Sequence, residues 1–246
     1  MAKIQHHIHC QPEDLAPYVL APGDHARVDR IAAHLEEPRL VSESRGYRII
    51  TGRYKGAPVT ACSTGMGCPQ VAIAVEELAN LGVHTFIRVG SCGARQDFLN
   101  IGDVVITNAA YRDDGTSMCY LPAPFPAVAH QDVMDALRDA ARSCGIPCHV
   151  GITVSGDAFY GRKYDNHSDL LKQAGVLTVE MESSTLFIVA QWRKVRAGTI
   201  LAVSDRPGQR VTDPEVEKIF RRGEQDMIRI ALESVRVLHD RDAAAK

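Results

Sequence analysis

Two carboxylates straddle a methionine in Val179-Glu180-Met181-Glu182-Ser183, where one apolar run, Gly175-Val176-Leu177-Thr178-Val179, gives way to another, Ser184-Thr185-Leu186-Phe187-Ile188-Val189-Ala190. The first run reads as a buried strand and the second as a core-facing helix. Acids at the carboxyl end of a strand in an open α/β sheet stand where such sheets collect ligands. They also stand where helices are capped, and taken alone the pair suits either use. Arg88 lies inside the strand-like run His84-Thr85-Phe86-Ile87-Arg88-Val89-Gly90. A charge there is costly unless an anion or carboxylate meets it, which favours a functional role. Arg27 follows the turn Pro22-Gly23-Asp24 in the first turn of an expected helix. Glycine in such a turn lets backbone N–H groups approach an anion, although an ordinary turn beside a solvated arginine has the same pattern. Asp205 closes the apolar run Gly198–Ser204, and Phe159-Tyr160 lies just past another strand, where two rings can stack on a ligand or plug a core. Together these groups could hold an anion, grip a polar ligand and handle a proton.

The elements that must position them follow from periodicity. Tyr18–Ala21 is an apolar strand, followed by a helix with Val28, Ile31, Ala32 and Leu35 on one face. Residues 47–54 and 58–63 flank Lys55-Gly56-Ala57 as a hairpin. Thr64-Gly65-Met66-Gly67-Cys68-Pro69 is a glycine-rich turn opening a helix with Val71, Ala74, Val75 and Leu78 inward. Further strands are expected at 103–107, 148–154 and 198–205, and helices around Val133–Ala140 and from Pro214 to His239, the last weakened by Gly223. Tyr111 to Ala129, with three prolines, reads as one long loop, and residues 241–246 as a fraying tail. The Gly90-Ser91-Cys92-Gly93 turn lacks the three-glycine spacing of a dinucleotide fingerprint.

Composition limits the possibilities. A chain of 246 residues without repeat, linker or compositional break is expected to form one α/β domain over 1–246. Its 28 basic and 30 acidic residues leave a formal charge of −2, so no global field draws it to nucleic acid or an anionic membrane. Any bound anion must be held by a local cluster. Seven scattered cysteines without a CxxC pair or zinc spacing read as reduced thiols, and no metal site is expected. No stretch approaches the roughly 20 apolar residues of a membrane span, and the start is polar, so a soluble cytoplasmic protein is expected.

In order along the chain, Pro22-Gly23-Asp24-x-x-Arg27-Val28, Thr64-Gly65-Met66-Gly67, Ile87-Arg88-Val89-Gly90-Ser91-Cys92-Gly93, Ser155-x-Asp157-x-Phe159-Tyr160, Val179-Glu180-Met181-Glu182 and Ser204-Asp205 resemble the hexameric nucleoside phosphorylases. The resemblance spans nearly the whole chain. It implies a three-layer α/β/α fold with a mixed, partly barrel-like sheet, and phosphate-dependent cleavage of a nucleoside's N-glycosidic bond without a cofactor. The phosphate contacts it implies are Gly23, Arg27, Arg88 and Ser91, with Arg45 lent by a neighbouring subunit; arginines suit a tetrahedral anion. On the nucleoside side it implies Glu182 on the ribose hydroxyls, Met181 and Met66 against the sugar, Glu180 in support, Phe159 against the base and His7 lent to the neighbouring site. A homo-oligomer is therefore expected, a dimer at least and a hexamer by family habit.

The choice of base divides the motifs. Asp205 matches the general acid that purine enzymes use at N7, and the glutamine of the Gln-x-Arg pair that reads uracil is missing, Tyr160 being followed by Gly161-Arg162-Lys163-Tyr164. These two features favour a purine nucleoside phosphorylase, with uridine phosphorylase as the alternative. Other stretches, such as Phe125-Pro126-Ala127-Val128-Ala129, look closer to uridine phosphorylases. Arg210, Arg221 and Arg222 are open candidates for the arginine that assists the aspartate in purine enzymes. A nucleoside-binding protein without catalysis is a third and weaker reading, because the phosphate arginines and Glu182 are all retained.

Overall fold

The apolar runs become strands of one sheet in the computed structural model, which describes residues 4–160, 165–207, 209 and 211–245. The strands are β1 (Tyr18–Ala21), β2 (Glu36–Ser44), β3 (Tyr47–Tyr54), β4 (Ala57–Cys62), β5 (Thr85–Ala94), β6 (Val104–Asp113), β7 (Ala127–Val128), β8 (Cys148–Gly156), β9 (Thr178–Glu180) and β10 (Arg196–Asp205). The helices are α1 (His25–Ala32), α2 (Cys68–Asn80), α3 (Thr116–Tyr120), α4 (Gln131–Cys144), α5 (Asp165–Gln173), α6 (Ser183–Arg193) and α7 (Pro214–Ala244). Neighbouring strands follow the order β10-β6-β8-β9-β5-β1-β4-β3-β2, with β7 beside β6 and a further pairing of β10 with β5. That pairing closes β5, β10, β6, β8 and β9 into a five-stranded barrel, from which β1, β4, β3 and β2 extend as an open wing.

The mixed, partly barrel-like α/β/α architecture implied by the resemblance is the one observed. Val28 and Ile31 of α1, Leu137 of α4 and Ile230 of α7 pack into one core cluster. Val71 and Val75 of α2 with Leu186 and Phe187 of α6 belong to a second. Strands such as β10 are apolar almost throughout because both their faces are covered. Strands β1, β4, β5 and β10 run parallel, so the chain leaves all four at the same edge of the sheet, at Pro22, Ser63, Arg95 and Arg206. Among the described residues no helix is long and apolar enough to cross a membrane.

Several local expectations change. The segment from Tyr111 to Ala129 is not a structureless loop. β6 continues to Asp113, α3 follows, and β7 pairs back on β6. Arg112 organises it: Nη1 donates to the carbonyls of Pro122 (2.8 Å) and Phe125 (2.7 Å), and Nη2 to those of Ser117 (2.8 Å) and Leu121 (2.7 Å). One side chain thereby satisfies carbonyls that would otherwise need secondary structure or water. The expected strand over 175–179 shrinks to Thr178–Glu180, because Gly175 turns at φ +82°. β2 had no periodic signal: it is a largely exposed edge strand whose charges and proline suit an unpaired rim. α5, short and polar, had none either.

The C-terminal segment does not fray at residue 241. Asp242 accepts from Tyr18 Oη (2.7 Å) and Arg196 Nη1 (2.9 Å), with Arg196 Nη2 on the same carboxylate, so α7 is pinned to the amino-terminal end of β1 and β10. These bonds, Arg196 first, hold the Asp242 carboxyl below its usual range despite partial burial. Gly223, a weakness by helix propensity, is required by packing. A Cβ there would lie 2.1 Å from the Gly102 carbonyl oxygen.

Two outcomes follow. Gly223→Ala should destabilise the protein, against the gain of about 1 kcal/mol that helix propensity alone assigns to the change, because the clash is with backbone; a urea midpoint at or above the parent's would show that α7 and the Gly102 turn separate. Asp242→Asn should cost about 2 kcal/mol at pH 7, the scale of a hydrogen-bonded charge. A depressed carboxyl contributes its stability above the unfolded pKa of about 3.9 and loses it as pH falls through the lower folded value. The deficit of the variant should therefore narrow between pH 5 and pH 3, and a constant deficit would assign it to packing instead.

Candidate active site

Arg88 enters the site from the middle of β5, with Ala21 of β1 and Thr199 of β10 opposite it. Its guanidinium folds over Gly90, where a Cβ would stand 2.8 Å from both Cζ and Nη2. β9 runs antiparallel to β5, with Val179 opposite Gly93, so the chain leaving β9 at Glu180 turns back along β5 toward the arginine. Arg88 Nε donates to Glu180 Oε2 (2.8 Å), and Nη2 pairs with the Glu182 carboxylate. All three side chains are buried. Burial works against the arginine's charge, but Glu182 and Glu180 outweigh it and raise its pKa. Burial likewise pushes the Glu182 carboxyl up, opposed by Arg88. Arg88 Nη1 is buried and has no acceptor among the described residues. An unpaired buried donor on a charged group is expensive, and a ligand oxygen would remove that cost.

The two acids divide their work. Glu180 accepts from the backbone N–H groups of Glu182 (3.0 Å) and Ser183 (3.1 Å) and from Ser155 Oγ (2.5 Å), capping α6 while it holds the arginine. Glu182, itself the N-cap residue, reaches across to the N–H of Gly67 (2.7 Å), which joins the acidic turn to the glycine-rich turn before α2. The capping reading of the acid pair holds for Glu180, and both acids also pair with Arg88. Gly23 and Gly65 press together behind this turn, since a Cβ on Gly23 would stand 2.7 Å from the Gly65 carbonyl oxygen.

Arg27 is buried on α1, where Nε donates to Glu224 Oε1 (2.6 Å) and Nη1 to the Val89 carbonyl (3.0 Å). Arg30 and Arg221 share Glu224, so three arginines converge on one buried carboxylate. Sequence reasoning missed Glu224, although it interrupts the apolar stripe Val216, Phe220, Met227 and so carried a signal. Ser91 is half-buried two residues beyond Val89 on β5, and Met181 is half-buried between the acids. Met66 is 84% exposed and Phe159 71% exposed, with the Phe159 and Tyr160 rings edge-to-face at 4.9 Å.

Asp205 pairs with Gly93 across β10 and β5, at the same edge. Its Oδ2 accepts from Ser204 Oγ (2.6 Å) and its Oδ1 from the N–H of Val211 (3.3 Å). Of the arginines considered beside it, Arg221 is committed to Glu217 and Glu224 and Arg222 is exposed on α7. Arg210, like Gly161–Tyr164 where uracil recognition would fall, lies outside the described residues. Arg45 is exposed in the turn between β2 and β3 at φ 49°. His7 is half-buried, and Glu77 receives both its N–H (3.0 Å) and its Nδ1 (2.5 Å). Glu77 was also missed by sequence reasoning. Among the described residues no group of three or more His, Cys, Asp or Glu side chains is placed to hold a metal ion.

Residues 17–236 match the model of the Phosphorylase superfamily, and the chain belongs to that family, among its nucleoside phosphorylases. It is 43% identical to a uridine phosphorylase of Thermococcus kodakarensis, over 97% of this chain and 88% of that one. It is 42% identical to a guanosine phosphorylase of Halorubrum lacusprofundi, over 82% and 83%, and 38% identical to the uridine phosphorylase of Escherichia coli, over 91% and 92%. A crystal structure of uridine phosphorylase from Vibrio fischeri superposes with a TM-score of 0.90 at 33% identity, covering 96% of this chain and 98% of that one. The purine preference expected from Asp205 and the missing glutamine is not supported by these likenesses, which fit the uridine alternative better.

Removing Arg88 leaves two buried carboxylates sharing one site. Arg88→Ala should lower stability by about 3–5 kcal/mol, the cost of stranding a buried charge, with Arg88→Ala/Glu182→Gln recovering part of it. Denaturant titration measures both. A single variant within 1 kcal/mol of the parent would mean that the three charges do not pair in solution.

Proposed function

We propose that the protein cleaves nucleosides with inorganic phosphate as co-substrate and that uridine is its principal nucleoside. The observation that carries the phosphate part is the buried Arg88 Nη1 without an acceptor, on a guanidinium held in place by Glu180 and Glu182. A phosphate oxygen there would complete the arginine's bonds, with Ser91 and the backbone at Gly23 as further contacts, Arg27 adding charge, and Arg45 coming from a neighbouring subunit. Glu182 grips the ribose hydroxyls beside the Met181 and Met66 side chains, Phe159 covers the base, and His7 reaches the sugar of the adjacent site in a dimer. A phosphate oxygen bonds to C1′ as the bond from C1′ to the base breaks. The electron pair of the broken bond leaves with the base, which takes up, directly or through water, the proton that hydrogen phosphate loses, giving free base and ribose 1-phosphate. The developing positive charge on the ribose is stabilised by Glu182 and by the incoming dianion.

Uridine is supported by the uridine phosphorylases among the relatives and by the state of Asp205. Both oxygens of that carboxylate accept hydrogen bonds from its own segment, an arrangement suited to holding the turn after β10. A uracil anion spreads its charge over two carbonyl oxygens and can leave without a proton at the ring, whereas a purine leaves far better when N7 is protonated. Guanosine or inosine is the second reading, favoured by the Halorubrum relative and by the placement of Asp205 at the carboxyl edge of β10.

A panel of uridine, inosine, guanosine and adenosine with and without phosphate tests both levels. Base release only with phosphate, fastest from uridine, is expected; release without phosphate would indicate a hydrolase, and faster guanosine or inosine would overturn the uridine assignment. Asp205→Asn should change uridine turnover by less than about tenfold. A loss of roughly 10²–10⁴ on inosine that spares 7-methylinosine would instead identify the aspartate as the acid for a purine.

A further inference from the structure

Asp114 is the most thoroughly bonded carboxylate near the site that the chemistry above leaves unused. It follows β6 and is 4% exposed. Its Oδ1 accepts from the Ser117 N–H (2.6 Å) and Thr185 Oγ1 (2.9 Å), and its Oδ2 from Ser117 Oγ (2.8 Å) and Ser184 Oγ (2.5 Å). Burial opposes its ionisation, but the donors from Ser184, Ser117 and Thr185 outweigh it and hold the carboxyl below the usual carboxylate range. Ser184 and Thr185 lie in the first turn of α6, directly after Glu182. The Ser184 N–H donates to Ser155 Oγ (2.9 Å), and Ser155 Oγ donates to Glu180 Oε1. A continuous chain of bonds therefore runs from Asp114 through Ser184 and Ser155 to Glu180 and on to Arg88. The adjoining Gly115 N–H donates to Asp157 Oδ2 (2.8 Å), on the segment that leads into Phe159 and Tyr160.

We propose that Asp114 is a positioning residue: it fixes the first turn of α6 so that Glu180 and Glu182 meet Arg88 in one geometry, and it governs turnover without touching substrate. This rests on the function proposed above. Two of the four donors, Ser184 Oγ and Thr185 Oγ1, belong to α6 and two to Ser117 of α3, so one buried carboxylate locks the first turn of α6 against α3, and the Ser184 backbone carries that register on through Ser155 to Glu180. Asparagine keeps the shape but puts an NH2 donor in place of one oxygen, opposite either the Ser117 N–H and Thr185 Oγ1 or the Ser117 and Ser184 hydroxyls, all of which donate to the carboxylate.

The test is steady-state uridine phosphorolysis at saturating phosphate, run below the melting transition of each variant, for Asp114→Asn, Ser184→Ala, Glu180→Gln and the Asp114→Asn/Glu180→Gln pair. Asp114→Asn should lower kcat by about 10–100-fold, the scale on which displacing a catalytic group by about 1 Å acts. Its loss should combine with that of Glu180→Gln to far less than the product of the two, because both act through the same bonds. Multiplicative losses, or a kcat within twofold of the parent in Asp114→Asn, would overturn the proposal. Should Asp114→Asn fail to fold, Ser184→Ala decides, with a clear loss of kcat expected and parental kcat overturning it. A parent inactive on every nucleoside with phosphate would instead sink the proposed function.

Discussion

One guanidinium between two buried glutamates sets the terms for the rest of the molecule. Placing three charges out of water costs several kcal/mol each unless they meet with good geometry, and a misplaced strand would leave them stranded. The pairing of Arg88 with Glu180 and Glu182 requires β9 to run antiparallel to β5 with Val179 opposite Gly93. It requires a glycine at 90, because any Cβ would occupy the space of the guanidinium. It sits within the barrel, where β9 pairs directly with β5 and β10, β6 and β8 complete the ring. Local chemistry and global topology are mutually dependent here, which is how a sequence comes to specify one arrangement.

The same logic recurs outside that triad. Glu224 balances Arg27, Arg30 and Arg221, so α7 carries a counter-charge to α1 as well as apolar packing. Glu77 receives the chain at His7 and Ile8, tying the amino-terminal segment to α2. Asp114 gathers hydroxyls from α3 and α6. Each is an acid with no distinguishing motif in the sequence that becomes a hub in space, and each fastens an element that carries or adjoins a candidate site residue.

How much of this was legible beforehand differs between levels. The strands and helices that matter for the core were visible because their apolar residues repeat at the spacing of strand or helix, and burial enforces that repeat. Arg88 was visible as a charge where charge is costly, and Glu180 and Glu182 as acids at a strand's carboxyl end; Glu180 proved to cap α6 and both acids to pair with Arg88. β2 was not visible, since an edge strand held by backbone bonds needs no apolar face. Nor was the compact loop around Arg112, where one side chain does the work of a ladder.

By itself the sequence determined which residues had to be buried, which glycines had to turn and where charge was out of place, because desolvation and backbone sterics act on residue type wherever a segment lies. Only the tertiary structure decided what those charges meet. The antiparallel approach of β9 turned Glu180 and Glu182 toward Arg88, the docking of α7 placed Glu224 on Arg27, and the turn after β10 engaged both oxygens of Asp205. The pairings of Arg88 with Glu180 and of Arg27 with Glu224 join residues 92 and 197 positions apart, and no local preference encodes them. They follow from strand order and helix packing, which are settled by the fold as a whole.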